Sequence, residues 1–206
     1  MKKEDEQPIV PDQQEGARKD IEHTEIALDE NDARKLFVMA RNRLVNVNQW
    51  HEYAQGLSAT FRLTNSEGQE VSRTAEKGDH FKISVPAPGP ASGDGYDWVQ
   101  IEAIEDRSDP NGSIERMALR VRPAPDPTQT GENVSHFFSD SSTSSFVIER
   151  HGSRVTAAVY GRNEVPNTKT NNVLDKVRNA VVGVTALLGL ANVQWKNLVT
   201  GLIRAR

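Results

Sequence analysis

The stretch from Gly78 to Pro125 most constrains the fold, because apolar and polar residues alternate along three separate segments of it. Residues 81–85, 99–103 and 117–121 each place an apolar residue at every second position. In a β-strand, this period puts all the apolar side chains on one face. Three prolines end the first segment and a DPNG turn separates the other two. Three strands joined by long, turn-rich connections are therefore predicted.

Further strands are predicted on both sides of this stretch. They cover residues 61–64, 69–74 and 134–140, and a hairpin formed by residues 146–149 and 154–160. The whole run gives about seven short strands.

Helices are predicted at both ends of the run of strands. Residues 29–47 begin at an N-cap candidate, Asp29, and carry an apolar stripe at helical spacing. Arg43 lies off this stripe with three other basic residues, and we expect all four in solvent. Residues 173–188 and 192–203 are a C-terminal helical pair with a broad apolar face. The apolar stripe of the N-terminal helix, residues 29–47, consists of Leu36, Phe37, Ala40, Leu44 and Val47.

Strands in one run with helices at the ends predict an α+β fold. We expect a curved antiparallel sheet, or partial β-barrel, with one N-terminal helix before it and the C-terminal helical pair packed on it. Over Asp29 to Arg206 this order resembles, in outline, the helix-grip lipid-binding proteins and the lipocalin-like small barrels. The resemblance is one of topology, and no site residue is carried over from it.

Residues 1–24 are acidic and polar with few apolar groups, which predicts a disordered tail. Residues 25–206 are expected to form a single domain. The alternative is a division of that domain at the proline-rich loop of residues 123–133.

Composition argues against several classes of protein. The chain has no cysteine, which rules out a disulfide scaffold, a thiolate metal site and a cysteine nucleophile. A net charge of -4 argues against nucleic-acid binding. The longest apolar run, Ala180–Ala191, is too short for a membrane span, and no signal peptide is visible. We therefore expect a soluble cytoplasmic protein.

The Gly/Pro-rich loop that ends at residue 97 is the first candidate ligand site. Asp94, Tyr96, Asp97 and Trp98 lie together at its end. Two carboxylates beside aromatic rings can hold a hydrated cation, accept sugar hydroxyls or transfer protons. A purely structural interpretation is preferred: the glycines shape a turn, Asp97 caps the strand and Trp98 packs.

Arginines and one histidine are the other candidates. Arg116, Arg120 and Arg122 share one strand face, where they can bind phosphate or carboxylate, or pair with Glu102 across the sheet. Pairing on an exposed face is the preferred interpretation. His51, which lies among aromatic and acidic neighbours, is more simply explained by packing. The histidine spacing matches no zinc site, so no metal ligand is assigned.

No nucleophile elbow, P-loop or dinucleotide fingerprint is present, and no catalytic residue or cofactor is assigned. The sequence favours a non-catalytic binding module that takes a small ligand or a protein partner through the sheet cavity and the Gly/Pro-rich loop. One alternative is an acid–base enzyme that uses Asp94 and Asp97. The other is a homo-oligomeric assembly protein that associates through residues 173–203.

Overall fold

The computed structural model describes residues 8–54, 59–84, 93–129, 134–167 and 190–204. Its helices are α1 (Glu30–Val45), α2 (Trp50–Tyr53) and α3 (Leu190–Ile203), with a 3-10 turn, Val47–Gln49, between α1 and α2. Its strands are β1 (Ala17–Ile26), β2 (Thr60–Thr64), β3 (His80–Ser84), β4 (Asp97–Arg107), β5 (Ile114–Pro123), β6 (Thr143–His151) and β7 (Arg154–Glu164).

The seven strands form one antiparallel sheet in the order β1-β7-β6-β5-β4-β3-β2. Every pairing between neighbours is antiparallel. The sheet is open, with β1 and β2 at its edges. The predicted α+β fold with a seven-stranded antiparallel sheet is confirmed.

Strand β1 corrects two predictions. It lies where a disordered tail was expected, and it places a strand before the helix that was predicted to come first. It is an edge strand in which no side chain is completely buried, and edge strands commonly carry charged side chains. Ile21, its central apolar residue, is opposite the buried Val159 of β7. Backbone pairing with β7, partial burial of Ile21 and packing against α3 order a stretch whose composition is typical of disorder.

Two predicted strands are reduced to single bridges. Residues 69–74 contribute only the bridge between Thr64 and Glu70, and residues 134–140 contribute only the bridge between Phe138 and Pro166. The first of the two predicted C-terminal helices, residues 173–188, lies outside the described residues.

The core lies on the inner face of the sheet, beneath the helices. Helix α1 packs on β5, β6 and β7, and α3 packs on β1 and β7 and against α1 and α2. As predicted, Asp29 caps α1, its Oδ1 accepting a hydrogen bond from the Asp32 backbone N–H at 2.8 Å. Phe37, Ala40 and Leu44 of the predicted stripe are completely buried.

Trp50 is at the centre of this core. Its ring centroid lies 5.3 Å from that of Phe61, 5.7 Å from Phe81 and 4.8 Å from Phe146. The side chain is fully buried, and its indole N–H donates to the carbonyl oxygens of Arg43 and Leu44 at the end of α1. One side chain therefore both packs on the sheet and binds carbonyl oxygens in the last turn of the helix.

Arg43 corrects the expectation that it lies in solvent. It is 9% exposed, and its Nη1 donates to the carbonyl oxygens of Gly201, Leu202 and Arg204 at 3.0, 3.3 and 2.8 Å. A cation at the last carbonyls of a helix interacts favourably with the helix dipole. Arg43 thus fixes the C-terminal end of α3 to α1.

Gly201 allows the close approach of α3 to α2. A Cβ atom at this position would lie 2.1 Å from the carbonyl oxygen of Tyr53. No real Cβ contact is that short, so any larger residue has to push the two helices apart.

We expect Gly201→Ala to destabilise the protein, although the same change inside an exposed helix stabilises it by about 1 kcal/mol. The clash with the Tyr53 carbonyl should reverse the sign and cost about 1–3 kcal/mol. Urea unfolding measures the change, with the exposed Asn192→Ala on the same helix as the control. A stabilised Gly201→Ala variant would show that α3 does not approach α2 this closely.

Candidate functional site

The three predicted arginines lie on the outer face of the sheet, opposite the helices, and are paired with carboxylates. Glu102 accepts from Nε of Arg120 at 3.0 Å and from Nε of Arg122 at 2.5 Å, and Glu149 lies 3.1 Å from Nε of Arg116. The register between β4 and β5 shifts at Glu102, which is the extra residue of a β-bulge. This is the cross-strand pairing that the sequence favoured, but the face is not fully exposed, because Arg120 is only 7% exposed. A ligand-binding role for the row stays a prediction.

Asp97 and Trp98 begin β4 and are both buried. Asp97 Oδ1 accepts a hydrogen bond from the Phe137 backbone N–H at 3.1 Å, and the Trp98 indole N–H donates to the Gly93 carbonyl oxygen at 3.2 Å. Trp98 is only 3% exposed. Both side chains therefore fix neighbouring loop backbone to the start of the strand, as the structural interpretation predicted.

The other candidates have different surroundings. Asp94 is exposed and in the left-handed region, with φ of 51°. The Lys82 ammonium lies 4.7 Å from the centre of the half-buried Tyr96 ring. Its hydrogen bond to Glu70 lowers the pKa of that carboxyl below its usual value. His51 lies on α2, with its Nε2 4.0 Å from a carboxylate oxygen of Glu52. The structure thus brings Tyr96, Asp97 and Trp98 together at the start of β4 and places His51 on a different element.

The acid–base alternative gains no support from this arrangement. Asp97 is bound to backbone and Glu102 to two arginines, while Asp94 lies on the exposed turn. Among the described residues, no group of three His, Asp or Glu side chains is placed to hold a metal ion.

Arg150 and Glu115 form a buried pair that the sequence reasoning missed. Arg150 Nε lies 2.6 Å from Glu115 Oε2, and their side chains are 0% and 4% exposed. The guanidinium also donates to the carbonyl oxygens of Gly112 and Gly152. Arg150 was assigned to a turn, but it continues the alternation of Phe146 and Ile148, and that period places it on the inner face.

His80 is a second buried polar group that was not singled out. It is 7% exposed and its Nδ1 has no hydrogen-bond partner. Burial lowers its pKa below the ordinary value of 6.5, against the opposing effects of Asp79 and Asp126. Burial therefore favours the neutral imidazole over the charged form.

An open groove lies between the end of β1, the first turns of α1 and the end of α3. We call it the β1–α1 groove; its volume is about 580 Å³. Ile26 and Leu28 are 69% and 96% exposed, and they are among its apolar lining residues. The other apolar side chains are Ala27, Leu36, Met39 and Ile203. The charged residues are Glu25, Asp32, Lys35 and Arg204.

Comparison with known proteins gives similarity only at the level of solved structures. No family model and no curated protein matches the sequence. Norcoclaurine synthase from Thalictrum flavum is 8% identical, with 84% of this chain and 94% of that chain covered and a TM-score of 0.33. Major latex-like protein 151 from Panax ginseng is 11% identical over 84% of this chain and 96% of that chain, with a TM-score of 0.33.

Protein Ms6760 from Mycobacterium smegmatis is 14% identical, with 96% of this chain and 98% of that chain covered and a TM-score of 0.38. These scores are low, so the fold assignment rests on the strand order and helix packing described above.

In the part of the chain that the structure describes, no helix is long and apolar enough to cross a membrane.

We expect acid to destabilise the protein through His80. The pKa of His80 is lower in the folded state than its ordinary value of 6.5, which applies to the unfolded chain. As the pH falls through 6.5, the unfolded chain therefore binds a proton more readily than the folded one, and the free energy of unfolding decreases. In His80→Gln, the free energy of unfolding should fall less steeply between about pH 7 and pH 5 than in the wild type. Urea unfolding at several pH values measures this, with the exposed His151→Gln as control. Equal slopes in wild type and His80→Gln would contradict the assignment.

Trp98→Ala should destabilise the protein by about 3–5 kcal/mol, because it leaves a cavity where a buried indole was. His51→Ala, at an exposed position, should change the free energy of unfolding by no more than about 0.5 kcal/mol. Chemical denaturation of both variants measures the difference. A Trp98→Ala variant as stable as the wild type would show that Trp98 is not needed for packing, and Trp98 would again be a candidate ligand-binding residue.

Proposed function

We propose that the protein is a non-catalytic binding module that takes a protein partner at the β1–α1 groove. The proposal is carried by the exposure of Ile26 and Leu28 beside an open apolar groove. Moving a large apolar side chain out of water is favourable. Neighbouring exposed apolar side chains beside such a groove are therefore typical of a contact surface.

The shape of this surface favours a protein over a small molecule. Small-molecule pockets enclose most of the ligand, whereas the Leu28 side chain is almost fully exposed. An exposed side chain of this kind can enter a pocket on a partner. Within the described residues, side chains from the three helices fill the inner face of the sheet, which favours the groove over the sheet interior as the binding surface.

Charges at the rim indicate the chemistry of the partner. Glu25 and Asp32 line the groove, the exposed Asp29 follows Leu28, and the exposed Glu30 begins α1. Lys35, one of the two cations at the rim, is bound to Asp32 at 2.9 Å. The excess of carboxylates favours a partner segment in which apolar side chains are flanked by lysine or arginine.

Two fluorescent peptides test the proposal, one of alternating leucine and lysine and one of alternating leucine and glutamate. The wild-type chain should bind the lysine peptide and not the glutamate peptide. The double variant Ile26→Ser/Leu28→Ser should bind the lysine peptide at least about tenfold more weakly, because each apolar side chain buried at a contact contributes about 1.5–3 kcal/mol. Fluorescence anisotropy measures both affinities.

The matched control is Val38→Ser/Ile114→Ser, which removes two apolar side chains, 49% and 59% exposed, that do not line the groove. Equal binding by the two double variants, or no binding by the wild type, would contradict the proposal. Sedimentation at rising concentration tests a second copy of the chain as the occupant instead. If the wild type self-associates and Ile26→Ser/Leu28→Ser does not, the occupant of the groove is a second copy of the chain and not a different protein.

A further inference from the structure

The chain covers part of the outer face of its own sheet with the residues that precede β1. We call residues 8–16 the N-terminal segment. Ile9 is 7% exposed and packs against Ala118 and Val147 of β5 and β6. The segment is thus an ordered strap on the face opposite the helices, which corrects the expectation of a disordered tail for these residues.

Three buried polar side chains of the sheet hold the backbone of this segment. Arg120 Nη1 donates to the Pro8 carbonyl oxygen at 2.8 Å, and Ser145 Oγ donates to the Ile9 carbonyl oxygen at 2.5 Å. At the other end, Asn163 Oδ1 accepts from the backbone N–H groups of residues 14 and 15 at 2.7 and 3.1 Å. Arg120, Ser145 and Asn163 are 7%, 0% and 9% exposed.

Asn163 is shaped for this contact. It has φ of 55°, in the left-handed region that asparagine tolerates better than most residues. Its backbone N–H donates to the side-chain oxygen of Gln13 at 3.1 Å. The sheet therefore binds the main chain at both ends of the segment and recognises two side chains, Ile9 by burial and Gln13 by a hydrogen bond.

We propose that the outer face is a peptide-binding site which the chain fills with its own N-terminus. The site takes an extended segment of another polypeptide that carries an apolar residue four positions before a glutamine, as Ile9 precedes Gln13 here. A tethered segment has a high effective concentration, so it competes strongly with any such partner. The site is therefore masked until the N-terminal segment is displaced. This proposal is independent of the β1–α1 groove.

The test uses the full chain with Ile9→Asp, because a carboxylate at this position cannot be buried against Ala118 and Val147 without a large cost. The probe is a fluorescently labelled peptide with the sequence of residues 8–16. Ile9→Asp should bind it at least tenfold more tightly than the wild-type chain, whose own segment competes. A peptide with aspartate in place of the isoleucine should bind neither chain.

Variants of the site itself separate peptide recognition from a general loosening of the chain. Asn163→Gly tolerates the positive φ and removes the side chain, so in the Ile9→Asp background it should weaken peptide binding at least tenfold. Leu28→Ser, in the β1–α1 groove, should leave peptide binding unchanged in that background. If Ile9→Asp does not fold, judged by its circular dichroism, Ile9→Ser replaces it.

The proposal is overturned if the folded Ile9 variant does not bind the peptide. It is also overturned if wild type and variant bind equally, or if Asn163→Gly has no effect. The Ile26→Ser/Leu28→Ser variant tests only the β1–α1 groove, and the Ile9 and Asn163 variants test only the outer face. Either proposal can therefore fail without the other.

Discussion

Burial of the Trp50 indole is the contact on which the rest of the structure depends. The ring packs against aromatic side chains of β2, β3 and β6, and its N–H ends α1 by binding the carbonyls of residues 43 and 44. The same turn of α1 carries Arg43, whose guanidinium binds the last carbonyls of α3. Sheet, first helix and last helix therefore meet within a few residues, and a shift of one moves the other two.

This arrangement decides where binding surfaces can form. Within the described residues, the inner face is occupied by a continuous apolar core, to which α3 adds Leu198, Val199, Leu202 and Ile203. The two surfaces proposed for binding lie outside that core, one at the edge of the sheet beyond β1 and the other on the outer face. Within the described residues the helices fill the inner face, and both proposed surfaces therefore lie at the edge of the sheet and on its outer face.

Local periodicity predicted most of the fold. Alternation put Met117, Leu119 and Val121 on one face and the arginine row on the other, because a strand has only two faces. Which of the two faces is buried came from the structure. It failed at Glu102, where the bulge reverses the alternation, so that Ile104 and not Ala103 faces the core. A bulge depends on the partner strand, and a single strand's sequence does not reveal it. The pairing of Arg150 was also missed, although its position two residues after Ile148 indicated the inner face.

The N-terminus shows why composition alone mispredicts this chain. Residues 8–28 are too polar to form a core of their own, yet they gain order from β7, from Asn163 and from the patch around Val147, all more than 100 residues away in sequence. A segment stabilised in this way retains polar side chains in solvent and apolar ones at its margins. That is the composition of disordered chains, although the backbone here is ordered by its contacts with the sheet. Both proposed sites use residues from this stretch because order there comes from docking and leaves side chains such as Leu28 free of the core.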